Sequence, residues 1–284
     1  MRSRLAPYLL ILPGGLWLAI FFLVPMVAMV SVSLQTGSLE TGFTQTFNVQ
    51  TYVDMISAYH VQLTRSLVYG LMTTVVTILL AYPMAYWIAF NGGRHKSTYL
   101  FLILLPFFVT FVIRTISWQF LLADDGIVLG TLKDWGVLPG TFHVLATPTA
   151  VVGGLVYNFL PFMVLPIYVA LERIDRVLIE AASDLYASRR EVFRRVILPL
   201  SLPGVFAGVI LTFVPAAADY VNAQILGGSG QVMIGNVIET LYITNSQYPQ
   251  ASALSSILLG ALLIGIFVYA RVLGTRDVLD ASAG

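Results

Sequence analysis

Glu180-Ala181-Ala182-Ser183-Asp184-Leu185-Tyr186-Ala187-Ser188, followed by Phe193 and then Leu198-Pro199-Leu200-Ser201-Leu202-Pro203-Gly204, is a polar, arginine-rich island between two long apolar runs. On either side of it the chain reads as membrane. Of its 284 residues 58% are hydrophobic and 10% charged, with a mean hydropathy of +0.86. A soluble domain carries roughly 25% charged residues. Six stretches reach the roughly 20 apolar residues needed to cross a bilayer core: Tyr8–Val30, Leu67–Phe90, Tyr99–Leu122, Pro148–Leu171, Leu202–Ile225 and Ala251–Leu273. The expectation is an all-α, polytopic membrane protein with about six transmembrane helices and one transmembrane domain over residues 1–284. The first apolar run is longer than a signal-peptide core and no small-x-small cleavage site follows it, so it reads as a retained helix.

Charge sets the orientation. With the N-terminus inside, the cytoplasmic side holds Arg2, Arg4, Arg94, Lys96, Arg173, Arg176, Arg189, Arg190, Arg194, Arg195, Arg271 and Arg276. Arg65 and Lys133 fall outside, and Arg114 lies within the third apolar run. This bias predicts that both termini are cytoplasmic. The outer loops carry Glu40, Asp54, Asp124, Asp125, Asp134 and Glu239, which either suit a cationic solute or are the ordinary complement of the bias. A net charge of +1 implies no nucleic-acid partner.

Within the island Leu178, Ala181, Ala182 and Leu185 fall at i, i+3, i+4 and i+7, the stripe of a short helix. Ser188 with Glu191 three residues on is a capping-box signal for a second helix. There Val192, Phe193, Val196 and Ile197 share one face, and Arg189, Arg190, Arg194 and Arg195 take the other. Pro199 is expected to stop that helix or kink it into the fifth span. Two short helices at an angle, lying at the cytoplasmic membrane surface over about 175–200, are therefore expected.

Chemistry that the sequence does not carry narrows the function. There is no cysteine, and so no disulfide or thiolate site. No G-x-x-x-x-G-K-[ST] run exists: Lys96-Ser97 is preceded by His95 where glycine is required. Gly228-Ser229-Gly230 does not complete a nucleophile elbow. His60, His95 and His143 lie outside the spans and far apart, which offers no metal cluster and no catalytic residue. Energy must come from another polypeptide, and no enzyme activity is expected of this chain.

Two ionisable residues fall inside the spans. A charge at mid-bilayer costs about 2.5–3.5 kcal/mol even on the mild insertion scale, so each must face a bundle interior or water. Arg114 reads as a structural intramembrane charge, bonding carbonyls or an acid. Asp219 follows Pro215-Ala216-Ala217-Ala218, where the proline frees the Leu211 carbonyl and bends the helix. With Tyr220 beside it, Asp219 offers a carboxylate and an aromatic face to an alkylammonium ion; an Asp219–Arg114 pair is the alternative. Trp118, Tyr157, Asn158, Phe159 and Pro161 line the path or serve as packing. Gly227-Gly228-Ser229-Gly230 leads as an outer hinge into a short helix near Ile234, and Pro25, Pro83, Pro106, Pro161 and Pro166 suggest bent helices.

Glu180-Ala181-Ala182, Ala187-Ser188, Phe193 and Leu198-Pro199 through Pro203-Gly204 resemble the EAA loop of bacterial ABC-importer permeases. Arg65-Ser66-Leu67, Leu104-Leu105-Pro106-Phe107-Phe108, Arg114-Thr115, Phe213-Val214-Pro215-Ala216, Asp219 through Ala223 and Met233-Ile234-Gly235-Asn236 are similar to the PotB-type spermidine/putrescine branch. The resemblance implies a type I importer permease that takes up polyamines by alternating access. It implies an ATPase-coupling role for Glu180, Ala181, Ala182, Tyr186, Ala187, Ser188, Phe193 and Pro199, with the glutamate helping to anchor the turn. Its implied partners are ABC ATPase subunits, a second homologous permease subunit in a heterodimer, an extracytoplasmic solute-binding protein and membrane lipid. ATP and Mg would be used by the ATPase, and no cofactor would be bound here. One departure is notable: that family usually has glycine where Tyr186 stands, so either the turn is built differently or Tyr186 touches the partner. The alternatives are a related permease for an anion, ferric iron, a phosphonate or a sugar, and an energy-independent channel.

Overall fold

The computed structural model describes residues 6–273; Arg2, Arg4 and Arg276 of the charge bias lie outside it. In chain order the helices are α1 (Ala6–Leu18), α2 (Val24–Ser33), α3 (Gln50–Asn91), α4 (Lys96–Leu104), α5 (Phe111–Leu122), α6 (Leu129–Asp134), α7 (Pro148–Glu172), α8 (Arg176–Asp184), α9 (Arg189–Val192), α10 (Leu198–Ala217), α11 (Val221–Leu226), α12 (Ile234–Glu239) and α13 (Tyr248–Leu273). Strands β1 (Gln35–Ser38) and β2 (Gly42–Gln45) form an antiparallel hairpin after α2. Among the described residues five helical segments are long and apolar enough to cross a membrane, and a sixth is reached if the bent pair around 109–110 counts as one span. In lipid the backbone must satisfy its own hydrogen bonds, which is why apolar runs of this length are helical.

The spans differ from the sequence reading in three places. The third is broken: Gly93–Phe108 and Phe111–Leu122 meet at 90°. Pro106 lacks the N–H that would cap the Leu102 carbonyl, the chain tightens into a 3₁₀ turn over Leu105–Phe108, and Val109 and Thr110 are extended. The second helix begins at Gln50, seventeen residues before the expected span, and is interrupted at Tyr59 (φ −122°, ψ 18°). The fifth ends at Ala217, and α11 is a separate helix after a break at Ala218–Tyr220.

The chain divides into two compact units, one made of the residues up to Val61 with Val237–Ala261, the other of Gln62–Asn236 with the chain from Leu262. In the first, the backbone N–H of Asn48 donates to the Leu34 carbonyl, and Phe43 of the hairpin lies 5.5 Å from the Tyr248 ring. The α1–α2 segment exposes Trp17, Phe21, Phe22 and Val27, an apolar surface suited to lipid.

In the second unit α7 is the central helix, burying Val151, Leu155, Phe159, Met163, Val164, Ile167 and Leu171. α10 lies along it at very close range. A Cβ at Gly204 would stand 2.5 Å from both the Ala170 Cβ and the Pro166 carbonyl oxygen, so only glycine fits.

Candidate functional site

The polar island folds as α8, a turn, and α9 running through a π-turn (Phe193–Ile197) into α10. Asp175 caps α8 by accepting from the Val177 N–H at 3.0 Å. The Ser188–Glu191 capping box is present: the Ser188 backbone N–H donates to the Glu191 carboxylate at 2.9 Å, and Glu191 N–H donates to the Ser188 hydroxyl at 3.4 Å. Pro199 does not stop the helix: the chain runs on helically from α9 into α10, and the wider π-turn over Phe193–Ile197 just precedes the proline, whose missing N–H frees a carbonyl of that turn.

The turn between α8 and α9 keeps the glycine-type geometry without a glycine. Tyr186 has φ +61°. Its N–H donates to Ser183 O at 2.9 Å, and the Ala187 N–H donates to Ala182 O at 3.2 Å. This pair of bonds is a Schellman motif with Tyr186 at the left-handed position. A side chain there costs about 1–2 kcal/mol relative to the right-handed conformation. The ring recovers nothing inside the described chain: Tyr186 is 98% exposed. Glu180 is exposed and makes no hydrogen bond or ion pair among the described residues, so the bonds just named, not the glutamate, hold the turn.

The buried face of α8 shares only Ala182 with the stripe read from the sequence. Ile179 and Ala182, with Ala187 and Phe193, pack on the cluster of Ala81, Ala85, Leu171, Ile174 and Ile197. Leu178, Ala181 and Leu185 point outward, Leu185 being 82% exposed. Phe193 is the hinge pin of this region: its ring meets the Tyr82 and Tyr86 rings of α3 edge-on, each at 5.9 Å. Tyr82 in turn shares a 2.8 Å hydrogen bond with Ser201 of α10.

A second cluster surrounds the break after α10. The Asp219 carboxylate accepts from the Asn222 N–H at 2.8 Å and from its side-chain amide at 3.2 Å, capping α11. Asn222 Oδ1 accepts from Asn158 Nδ2 at 3.2 Å and from the Thr115 hydroxyl at 3.4 Å. A polar network thus joins α5, α7 and α11, with Asn158 Oδ1 buried and unpartnered. The segment between α11 and α12 is fastened by residues far away in sequence. Arg65 Nη1 donates to Val232 O at 2.8 Å, the Ile234 N–H donates to the Ser66 hydroxyl at 2.8 Å, and Tyr69 bonds Gln231. Asn236 Nδ2 then donates to Tyr220 O at 2.8 Å. The segment after Gly227 is therefore held in place and is more than a surface connector.

Arg114 does not pair with Asp219, nor with any acid or carbonyl among the described residues. Its guanidinium lies over the Phe107 ring, 4.5 Å from the centroid, and its Nε and Nη1 are buried without a partner. Desolvated cation–π contact contributes about 2 kcal/mol, which offsets part of the burial cost. Trp118 and Tyr157 are brought together, T-shaped at 5.3 Å. Asp219 is 8% exposed whereas Tyr220 is 44% exposed, so the two neighbours face different surroundings. Sequence reasoning missed the joint role of Thr115, Asn158 and Asn222. Their signal was only that of polar residues within apolar helices.

The model of the binding-protein-dependent transport system inner membrane component family matches residues 55–275. The chain is 35% identical over 256 residues, covering 90% of each, to the spermidine/putrescine transport system permease protein PotB of Haemophilus influenzae. It is 31% identical over 268 residues to PotB of Escherichia coli strain K12, covering 93% of this chain and 98% of that one. Among solved structures it resembles a bacterial ABC transporter involved in import of the acidic polysaccharide alginate, with TM-score 0.73, 18% identity and 96% of each chain covered. That likeness is one of fold. Both segments built above, the α8–α9 turn and the break at Ala218–Tyr220, lie inside the matched range, and this chain belongs to the binding-protein-dependent transport system inner membrane component family.

Proposed function

We propose that this permease subunit imports polyamines, spermidine or putrescine, in an ATP-driven complex that works by alternating access. The observation that carries the substrate class is the near-full-length likeness to permeases named for spermidine/putrescine transport. The whole chain, 1–284, acts as one permease domain in the cytoplasmic membrane with both termini inside, an orientation supported by the basic residues of the inner loops. Its partners are ATP-binding subunits that use ATP and Mg, a second homologous permease subunit and an extracytoplasmic binding protein. The chain itself holds no cofactor.

Coupling runs through contacts already described. ATP-driven closure of the ATPase dimer moves α8 and α9. Phe193 passes the displacement to α3 through Tyr82 and Tyr86, and the π-turn passes it along α10 to the break beside Asp219. Asp219, Tyr220, Trp118 and Tyr157 contribute a carboxylate and aromatic faces, the groups that attract alkylammonium ions. The test is the ATPase rate of the reconstituted complex with binding protein loaded with spermidine, loaded with putrescine, or empty. Stimulation by a polyamine-loaded form supports the reading. Stimulation only by a binding protein carrying another solute overturns the substrate.

A further inference from the structure

In the first unit α2, the hairpin and the start of α13 line a cavity of about 470 Å³. Three aromatic rings, Phe43, Tyr242 and Tyr248, stand in its wall with Met29, Gln35 and Ser252. The Tyr248 ring lies 5.5 Å from that of Phe43 and 4.9 Å from that of Tyr242, inclined at 54° and 60°, so no face is covered by stacking. Ser252 is only 7% exposed, yet its hydroxyl makes no hydrogen bond among the described residues. An apolar, aromatic recess of this size with a few polar groups is the usual form of a small-molecule site. Charge says which kind of molecule. The described residues of this unit include Glu40, Asp54 and Glu239 and, His60 apart, no basic residue. None of the three carboxylates is in an ion pair among the described residues. Glu40 lies in the hairpin loop just before Phe43, and Glu239 ends α12 just before the turn that carries Tyr242.

Resting on the polyamine reading above, we infer that this recess is an outer polyamine station, holding one ammonium end of the solute before it reaches the pathway beside Asp219. In the orientation proposed above the hairpin and Tyr242 lie on the outer side. The three rings attract the ammonium through their faces. Its N–H groups donate to the Ser252 hydroxyl and the Gln35 side-chain oxygen, and the methylene chain lies along Met29. The surplus of carboxylates raises the local concentration of cations. A lipid acyl chain would fill the apolar part as well, but it would leave the Ser252 hydroxyl unpaired and gain nothing from the acids. The wall formed by α2 and the hairpin precedes residue 55, where the family match begins, while the likeness to the two PotB proteins covers 90% and 93% of the chain. A recess with one wall outside the shared family region fits a role in choosing the solute, not one in the common transport cycle.

The chain has no cysteine, so Val32→Cys places this subunit's single thiol in the wall. The assembled complex in nanodiscs, without ATP or binding protein, is treated with N-ethylmaleimide, and alkylation is read from the mass of this subunit. Spermidine or putrescine is expected to slow alkylation at least about fivefold and saturably, whereas butane-1,4-diol, the uncharged counterpart of putrescine, has no effect. Adding Tyr242→Leu and Tyr248→Leu together should raise the half-protecting concentration at least about tenfold, and Tyr248→Phe should stay within about threefold. Tyr242→Leu alone, at a ring 54% exposed, should raise it about threefold and guards against a double variant that fails to fold. Alkylation unchanged by either polyamine, equal protection by the diol, or equal protection of a Thr41→Cys thiol in the hairpin loop overturns the inference. Uptake by wild-type proteoliposomes separates the two readings. Polyamine uptake with the Val32→Cys thiol unprotected strikes this site and leaves the polyamine reading standing. Protection of that thiol by a polyamine that the wild type does not import strikes the transport reading and supports the site.

Discussion

Replacing Phe193 with alanine should uncouple ATP hydrolysis from transport without dismantling the complex. The ring is partly buried and meets Tyr82 and Tyr86 edge-on at 5.9 Å each. Full truncation of a buried Phe costs about 3–5 kcal/mol. The ring here is half-buried, so about 2–3 kcal/mol is the expected loss, of which the two aromatic pairs account for about 0.5–1.5 kcal/mol each. That loss falls on the contact between the α9–α10 junction and α3, not on the exposed face of α8. ATPase subunits should therefore still bind, while the displacement they produce is no longer delivered in full. A weakening of about 2 kcal/mol corresponds to a factor of roughly 30 in the population of the coupled state. The assay is the number of solute molecules imported per ATP hydrolysed by proteoliposomes of wild type, Phe193→Ala and Phe193→Leu. The ratio should fall at least tenfold in Phe193→Ala and partly recover in Phe193→Leu, which restores volume but not ring edges. An unchanged ratio in Phe193→Ala would refute this route of coupling.

Asp219→Asn keeps an oxygen able to accept from the Asn222 N–H, so thermal stability should stay within about 1 kcal/mol while polyamine uptake falls, whereas Asp219→Ala should also lose the cap, about 1 kcal/mol more; unaltered uptake in the Asn variant would remove the charge from the pathway. Gly204→Val should destabilise by about 1–3 kcal/mol or more, because even its Cβ would lie 2.5 Å from Ala170 and Pro166 atoms, and a thermal melt of the purified subunit checks it. Arg114→Met should leave thermal stability equal or higher, since no ion pair is lost and an unpaired buried charge is removed; a drop of more than about 3 kcal/mol in the assembled complex would show that a partner subunit pairs with the guanidinium.

The membrane helices were legible because bilayer thickness is written directly into run length, and the Ser188–Glu191 box because it is closed within four residues. The face of α8 was not. Leu178, Ala181, Ala182 and Leu185 make a sound helical stripe, yet periodicity cannot tell an apolar face covered by its own chain from one left exposed. The neighbours cover Ile179, one position past Leu178, and of the stripe only Ala182. Pro106 marked a bend but not its 90° size, which depends on whether surrounding helices satisfy the freed backbone groups. The clasp of Arg65 and Ser66 on Val232 and Ile234 spans more than 160 residues, beyond any local signal. Both halves of it belong to blocks that carried the family resemblance, which gives those blocks a physical meaning: they fasten the start of α12 to α3. The β1–β2 hairpin had a signal that went unread, with Gly37 and Gly42 bracketing a short polar turn at positive φ.

The measurement closest to the central claim is uptake of labelled spermidine and putrescine into proteoliposomes holding both permease subunits and the ATP-binding subunits, with the binding protein on the outer side. The account predicts accumulation of at least one polyamine that requires ATP, the ATPase and the binding protein together. Polyamine entry that persists without ATP or the ATPase, or a fully assembled and ATP-hydrolysing complex that accumulates neither polyamine, would contradict it.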